Sequence, residues 1–215
     1  MPLPDDERSN IPGLDPATME LVELSIVIAT AHEPELRAAM LHAATIALDP
    51  TWVEELILQS YLFAGFPRAL NAAREWRKAS GLRAPLSDPD ALTADCTQWR
   101  KRGEATCATV YGDTYERLRT NIRDLHPALD EWMIVDGYGK VLGRGGLDLR
   151  RRELCIVAVC GALQQERQLH AHLHGALNAG AAHYEVEGTL RIVARYVNED
   201  TASRFNHLWI RVRRK

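Results

Sequence analysis

Two pairs of glutamate and histidine occur in this chain at the same spacing. Glu153 and His172 are nineteen residues apart, and Glu23 and His42 repeat the pair 130 residues earlier. A carboxylate facing an imidazole in an apolar setting can orient the ring and make it a general acid or base near neutral pH. A buried pair that only fixes the register of two helices would show the same spacing. The sequence therefore predicts either acid/base catalysis or a structural pair at Glu153 and His172, with a possible second site at Glu23 and His42.

The common spacing indicates a tandem duplication. Aligned without a gap, residues 23–72 and 153–202 share nine identities in fifty positions. In a repeat protein each copy buries its apolar face against its neighbour. We predict a first repeat over residues 1–85, a connection over 86–105 and a second repeat over 106–215.

The elements that would position these pairs are helical almost throughout, so the predicted fold class is all-α. Asp15-Pro16, Asp49-Pro50 and Asp148 have the chemistry of helix starts. The second helix is predicted to carry Leu36, Met40, Leu41 and Ile46 toward a core, and the third helix is predicted to run through Val53, Leu56, Ile57, Leu58 and Tyr61. The glycine-rich stretch 137–148 is predicted to form a turn.

Two further helices, at about 149–163 and 165–179, would form a hairpin. A turn centred near residues 162 and 163 leaves Glu153 and His172 each about nine residues from it, at a rise of about 1.5 Å per residue. The two side chains would then be level across the hairpin. The repeat predicts the same arrangement for Glu23 and His42.

Composition excludes several classes of protein. The chain has 215 residues, 46% of them hydrophobic, a net charge of −3 and a pI near 6.2. An acidic balance argues against nucleic acid or an anionic membrane as a partner. No apolar leader is evident and no apolar run is long enough for a bilayer, so we expect a cytoplasmic protein. Four cysteines without a Cys-x-x-Cys motif predict neither a disulfide framework nor a zinc site.

Several short motifs, in a fixed order, resemble the carboxymuconolactone decarboxylase family, which also includes alkylhydroperoxidase D. They are Tyr61 to Asn71, Tyr111-Gly112, His126-Pro127, Tyr138 to Leu142, Arg152-Glu153-Leu154, His172-Leu173 and Ala176 to Gly180, with Glu185 after them. The resemblance implies an alkylhydroperoxidase D-like helical bundle of two tandem hairpin units. It also implies a homo-oligomer, either a trimer that imitates a hexamer of single repeats or a dimer.

The peroxidase branch of that family carries two cysteines between its glutamate and its histidine. In this chain the corresponding positions hold Gln165 and Gln168, and in the first repeat Glu35 and Ala38. Thiol-based peroxide reduction needs a thiolate and a resolving thiol. A peroxidase is therefore the disfavoured alternative.

The decarboxylase branch implies a lyase acting on a small carboxylated metabolite without a cofactor. Arg144, Arg151 and Arg152 could hold substrate carboxylates, with His172 as the proton donor and Glu153 orienting it. His170 and His174 have a spacing that can bind zinc, but no third ligand is evident, so no metal site is predicted. A third hypothesis is a non-catalytic oligomeric binding protein.

Overall fold

The structure, a computed structural model, describes residues 13–92 and 96–214. These residues form helices and connecting turns, and no strand occurs among them. The predicted all-α fold is confirmed. The helices of the first half are α1 (Pro16–Thr30), α2 (Glu33–Thr45), α3 (Pro50–Ala64) and α4 (Phe66–Ser80).

The second half is built from a larger set of elements. They are α5 (Pro89–Leu92), α6 (Cys96–Tyr111), a 3₁₀ turn (Gly112–Thr114), α7 (Tyr115–Leu125), α8 (Pro127–Trp132), a π-helix (Met133–Leu142), α9 (Leu149–Ala162), α10 (Glu166–Asn178), α11 (His183–Val193) and α12 (Glu199–Val212). Helix α6 begins inside the segment predicted as a connection. The predicted boundaries at residues 85 and 105 stay a prediction.

The helix starts follow from local capping chemistry. Asp15 accepts a hydrogen bond from the backbone N–H of Thr18 at 2.9 Å, and Asp148 accepts one from that of Arg151 at 3.0 Å. These side chains satisfy N–H groups that have no partner in the first helical turn. Asp148 thus sets the start of α9 at Leu149, four residues before Glu153.

Helices α1 and α9 form the centre of the molecule and pack against each other. Both are buried on nearly every side, including all residues from Arg152 to Gly161 in α9. A helix that is apolar all round belongs in a core. Around this centre, α10 and α11 pack on α9, while α3 packs on α1. The glutamates of the two predicted pairs, Glu23 and Glu153, therefore lie on the two central helices.

Two of the predicted core positions are wrong. Leu36 and Met40 are buried, but Leu41 and Ile46 are exposed. On α2, Met40 and Leu41 are neighbours in sequence and point about 100° apart, so only one of them faces α1. Ile46 follows the end of α2 at Thr45.

The prediction of a turn over residues 137–148 is wrong for its first part. Residues up to Leu142 continue the π-helix, and the chain turns only after it. The reason lies in the packing against α6. A Cβ atom on Gly139 would lie 2.2 Å from the carbonyl oxygen of Trp99, and one on Gly103 would lie 2.0 Å from that of Ile134. These glycines therefore allow two helix backbones to touch, rather than bending the chain.

Candidate functional site

Glu153 and His172 meet across the α9–α10 hairpin, as their spacing predicted. His172 Nδ1 lies 2.8 Å from Glu153 Oε2. The side chain of Glu153 is fully buried and that of His172 is 6% exposed. An ionised Glu153 can only accept, and in that state the imidazole donates through Nδ1, which fixes the orientation of the ring. Glu153 thus lies behind His172, and His172 is the member of the pair that keeps some contact with solvent.

A glycine makes room for the carboxylate. A Cβ atom on Gly175 would lie 2.5 Å from Glu153 Oε2 and 2.7 Å from Val110 Cγ1. Gly175 is on α10, three residues after His172, so it lies on the same side of the helix. The carboxylate of Glu153 fits between α9, α10 and α6 because this position has no side chain.

Aromatic rings surround the imidazole. The rings of Phe63, from α3, and Tyr111, from α6, meet the His172 ring edge to face, with centroids 5.8 Å and 6.4 Å away. The ring of Tyr138, from the π-helix, lies 6.2 Å beyond Tyr111. Burial raises the pKa of both tyrosines above the usual value. The phenols stay protonated, and the wall around His172 is neutral.

The sequence indicates Tyr111 and Tyr138 only as parts of family motifs, and it does not indicate that Phe63 lies near His172. Phe63 belongs to the first repeat and His172 to the second. A contact between repeats depends on how the two units pack, which spacing within one unit does not contain. The short Tyr-Gly motifs were the available signal for the two tyrosines.

Two buried thiols lie in this region. Cys107 and Cys160 are buried, and the charge of Glu153 acts on both. Burial raises the pKa of each thiol to about 12, and the negative charge of Glu153 adds to the effect. At neutral pH both are thiols rather than thiolates, which makes them poor nucleophiles.

The three predicted carboxylate-binding arginines all have partners within the protein. Arg152 is fully buried, and its Nη2 lies 2.7 Å from Glu55 Oε2. Arg144 donates from Nε to Glu55 at 3.0 Å and from Nη2 to Asp88 at 2.9 Å. Burial opposes the charge of Arg144, but these bonds to carboxylates raise its pKa above the ordinary value.

The third of these arginines, Arg151, lies beside the first turn of α1. It binds Asp148 at 2.6 Å and Thr18 at 2.9 Å, and its guanidinium lies over the ring of Trp52 at 4.3 Å. Neither Glu153 nor His172 is among these partners of the three arginines. Their substrate-binding role stays a prediction.

The pair of the first repeat has a different setting. Glu23 and His42 line one small cavity of about 10 Å³ together with Glu20. His42 Nε2 lies 3.5 Å from Glu20 Oε1, and Glu23 accepts a hydrogen bond from the hydroxyl of Tyr196 at 3.2 Å. A cavity of this size has room for about one water molecule. The role of this pair as a second site stays a prediction.

The comparison with protein families gives an independent result. A model of the carboxymuconolactone decarboxylase family matches residues 5–78 and again 128–207. The chain belongs to this family. The two matched segments contain Glu23 with His42 and Glu153 with His172, so each match carries one of the pairs. The tandem-repeat resemblance is confirmed in this carboxymuconolactone decarboxylase family member.

One curated relative of this family member comes from Schizosaccharomyces pombe (strain 972 / ATCC 24843), where it is named peroxisomal protein 2. It is 28% identical over 149 residues, which are 68% of this chain and 69% of the relative. Its name describes a location in that organism and no reaction.

Over residues 13–92 and 96–214, no three histidine, cysteine or acidic side chains are grouped as metal ligands. In the same part of the chain, no helix is long and apolar enough to cross a bilayer.

Proposed function

We propose that this family member is a lyase that decarboxylates a small carboxylated metabolite, such as a carboxylated lactone, by acid/base chemistry at His172. The observation that carries the proposal is the hydrogen bond of 2.8 Å between His172 Nδ1 and Glu153 Oε2 in a setting walled by aromatic rings. Such a pair supplies an oriented proton donor, and its surroundings hold back water.

The reaction replaces the carboxylate of the substrate by one proton. When the bond between the substrate carbon and its carboxylate breaks, carbon dioxide leaves and the electron pair stays on the carbon, delocalised into the adjacent carbonyl system. Protonated His172 delivers a proton from Nε2 to that carbon. Glu153 accepts the Nδ1–H throughout and compensates the charge of the imidazolium. Water then reprotonates the ring for the next turnover.

The peroxidase alternative is weaker on two observations. Gln165 and Gln168 stand where the peroxidase branch has its cysteines. The thiols nearest the pair, Cys107 and Cys160, have pKa values raised to about 12 by burial. A peroxide assay on a variant in which all four cysteines are replaced tests this argument: turnover by the parent that survives the replacement would show that it is misplaced.

The proposal extends to assembly. Phe66 and Leu70 lie one turn apart on α4 and are 61% and 48% exposed. Exposed apolar side chains on one helix face are typical of contact surfaces. We propose a homo-oligomer, with the trimer of tandem repeats as the first arrangement to test by light scattering. A cytoplasmic location stays a prediction.

The proposed reaction is tested with a panel of carboxylated lactones, measuring release of carbon dioxide and loss of substrate absorbance. His172→Ala and His172→Gln are expected to lower kcat by about 10²–10⁴, the usual contribution of a general acid. His207→Ala, an exposed position on α12, is the matched control and is expected to keep the parental rate.

Two outcomes would contradict the proposal. A folded His172→Ala variant with parental turnover would remove the acid/base role. No turnover by the parent across the panel would favour the remaining alternative, a non-catalytic oligomeric binding protein.

A further inference from the structure

A second cavity lies on the far side of α10 from the Glu153–His172 pair. It has a volume of about 650 Å³ and is formed by the end of α6, the 3₁₀ turn after it, α7, α10 and the end of α12. Cavities that bind small molecules have volumes of about 300–1,000 Å³. By size alone this cavity can hold a metabolite, whereas the cavity at Glu23 and His42 cannot.

The lining of the cavity contains both polar and apolar residues. Arg117 and Asn121 line it one turn apart on α7, and His170 and His174 line it from α10. The apolar lining residues are Val110, Leu118, Leu177 and Val212. A ligand that matches this lining combines an apolar body with a polar or charged end.

The positive charge of Arg117 favours an anion. Arg117 is exposed, and it makes no ion pair with any residue in the described part of the chain. The two nearest arginines on α7 differ from it, because Arg119 and Arg123 both bind Asp130. Arg117 thus offers a guanidinium whose fork matches a carboxylate.

One acidic residue limits how much negative charge the ligand can carry. Asp113 also lines the cavity, from the 3₁₀ turn. Like charges repel, so Asp113 disfavours a ligand with two or more negative charges. A monocarboxylate fits this balance better than a phosphate ester.

The cavity is separate from the catalytic pair but shares a wall with it. His172 lies two residues from both His170 and His174, which turns its side chain about 200° away from theirs around α10. Tyr111 lines the cavity and also contacts the His172 ring. A ligand in the cavity would therefore touch Tyr111 without reaching Glu153.

We propose that this cavity binds a small organic monocarboxylate, with its carboxylate on Arg117 and its ring or chain on the apolar lining. Binding at this cavity does not depend on the proposed decarboxylase reaction.

The test is isothermal titration calorimetry of the full chain with benzoate, and with benzamide as the uncharged counterpart. Benzoate is expected to bind the parent at least tenfold more tightly than benzamide does. Arg117→Ala is expected to weaken benzoate binding at least tenfold, and Arg117→Lys by less. Arg83→Ala, an exposed position between α4 and α5, is the matched control and should bind as the parent does.

His172→Ala separates this site from the catalytic one and is expected to keep benzoate binding. The proposal is overturned if the parent binds neither probe, if benzamide binds equally well, or if Arg117→Ala binds as the parent does. It is also overturned if Arg117→Ala changes the oligomeric state in light scattering, since the cavity would then be an interface between copies of the chain.

Discussion

The hydroxyl of Ser25 donates a hydrogen bond of 3.3 Å to the backbone carbonyl of Cys155, and these two residues are equivalent in the two repeats, 130 positions apart. A contact between equivalent positions occurs where an approximate two-fold axis passes between two copies. Helices α1 and α9 therefore cross at their own equivalent points, and the repeats face each other about this crossing.

Contacts near the two pairs also run between the repeats, from positions that are not equivalent. Phe63, near the end of α3 in the first repeat, contacts His172 of the second. Tyr196, which follows α11 in the second repeat, donates to Glu23 of the first. Each repeat thus supplies an aromatic side chain to the other repeat's pair. The surroundings of His172 are complete only when both repeats are present.

Gly175→Ala is expected to disturb the Glu153–His172 pair directly. The new Cβ would lie 2.5 Å from Glu153 Oε2 and 2.7 Å from Val110, so the carboxylate must move away from His172. Overpacking of this kind costs about 1–3 kcal/mol. We expect a lower urea midpoint and a loss of turnover in the lactone assay.

The matched control for Gly175→Ala is Gly145→Ala. No atom lies within 4 Å of a Cβ added at Gly145. This variant should keep both the stability and the turnover of the parent. Parental turnover by Gly175→Ala would show that the close contact with Glu153 has no bearing on activity.

Arg152→Ala is expected to destabilise the fold strongly. Removing this fully buried guanidinium leaves Glu55 with Arg144 as its remaining ion-pair partner among the described residues. Loss of one partner of a buried ion pair costs about 3–5 kcal/mol. Arg204→Ala, which breaks the exposed pair with Glu166, should cost about 1 kcal/mol or less. Similar unfolding free energies for the two variants would contradict a structural role for Arg152.

The cysteines are expected to differ in reactivity. Cys96 is exposed, whereas Cys107, Cys155 and Cys160 are buried with pKa values raised by burial to about 12. At pH 8, a thiol-specific colorimetric reagent should modify one thiol per folded chain and four in denaturant. Rapid modification of more than one thiol in the folded chain would contradict the burial of these groups.

The same thiols predict a loss of stability in base. Burial raises the pKa of these thiols in the folded chain above the ordinary value of 9.0. Above pH 9 the unfolded chain loses these protons and the folded chain keeps them. The free energy of unfolding should therefore fall as pH rises from about 9 toward 12. Replacing Cys155 with alanine should reduce the steepness of that fall in urea titrations.

Gly103→Ala is expected to weaken the packing of α6 on the π-helix. Its Cβ would lie 2.0 Å from the carbonyl oxygen of Ile134, which belongs to backbone and cannot move cheaply. A destabilisation of at least about 1–3 kcal/mol should outweigh the gain in helix propensity of up to about 1 kcal/mol. Gly137→Ala, whose Cβ would lie 3.9 Å from the nearest atom, should be tolerated in the same thermal melt.

The sequence predicted what local chemistry determines. Asp15 and Asp148 cap helices because their own neighbours supply the N–H groups. The contact of Glu153 with His172 was predictable because one turn sets the distance of both residues along their helices. In both cases the decisive partners lie within about twenty residues.

Features that depend on distant packing could not be predicted in this way. The ion pairs of Arg144 and Arg152 with Glu55 were not predicted, because Glu55 is 89 and 97 residues away from them. Leu41 fitted an apolar pattern, yet the side of α2 that faces α1 is set by the tertiary structure. The glycines of the π-helix suggested a turn, since a pattern of glycines does not show that a second helix approaches.

The π-helix also limits how the length of this chain can change during evolution. A π turn holds about one residue more than an α turn. Deleting one residue between Met133 and Tyr138 would favour an ordinary α-helix and turn the residues after it by about 100°. Tyr138 would leave Tyr111, and Gly139 would no longer face Trp99. Homologues that keep this packing should therefore vary in length between α4 and α5, and not between Met133 and Leu142.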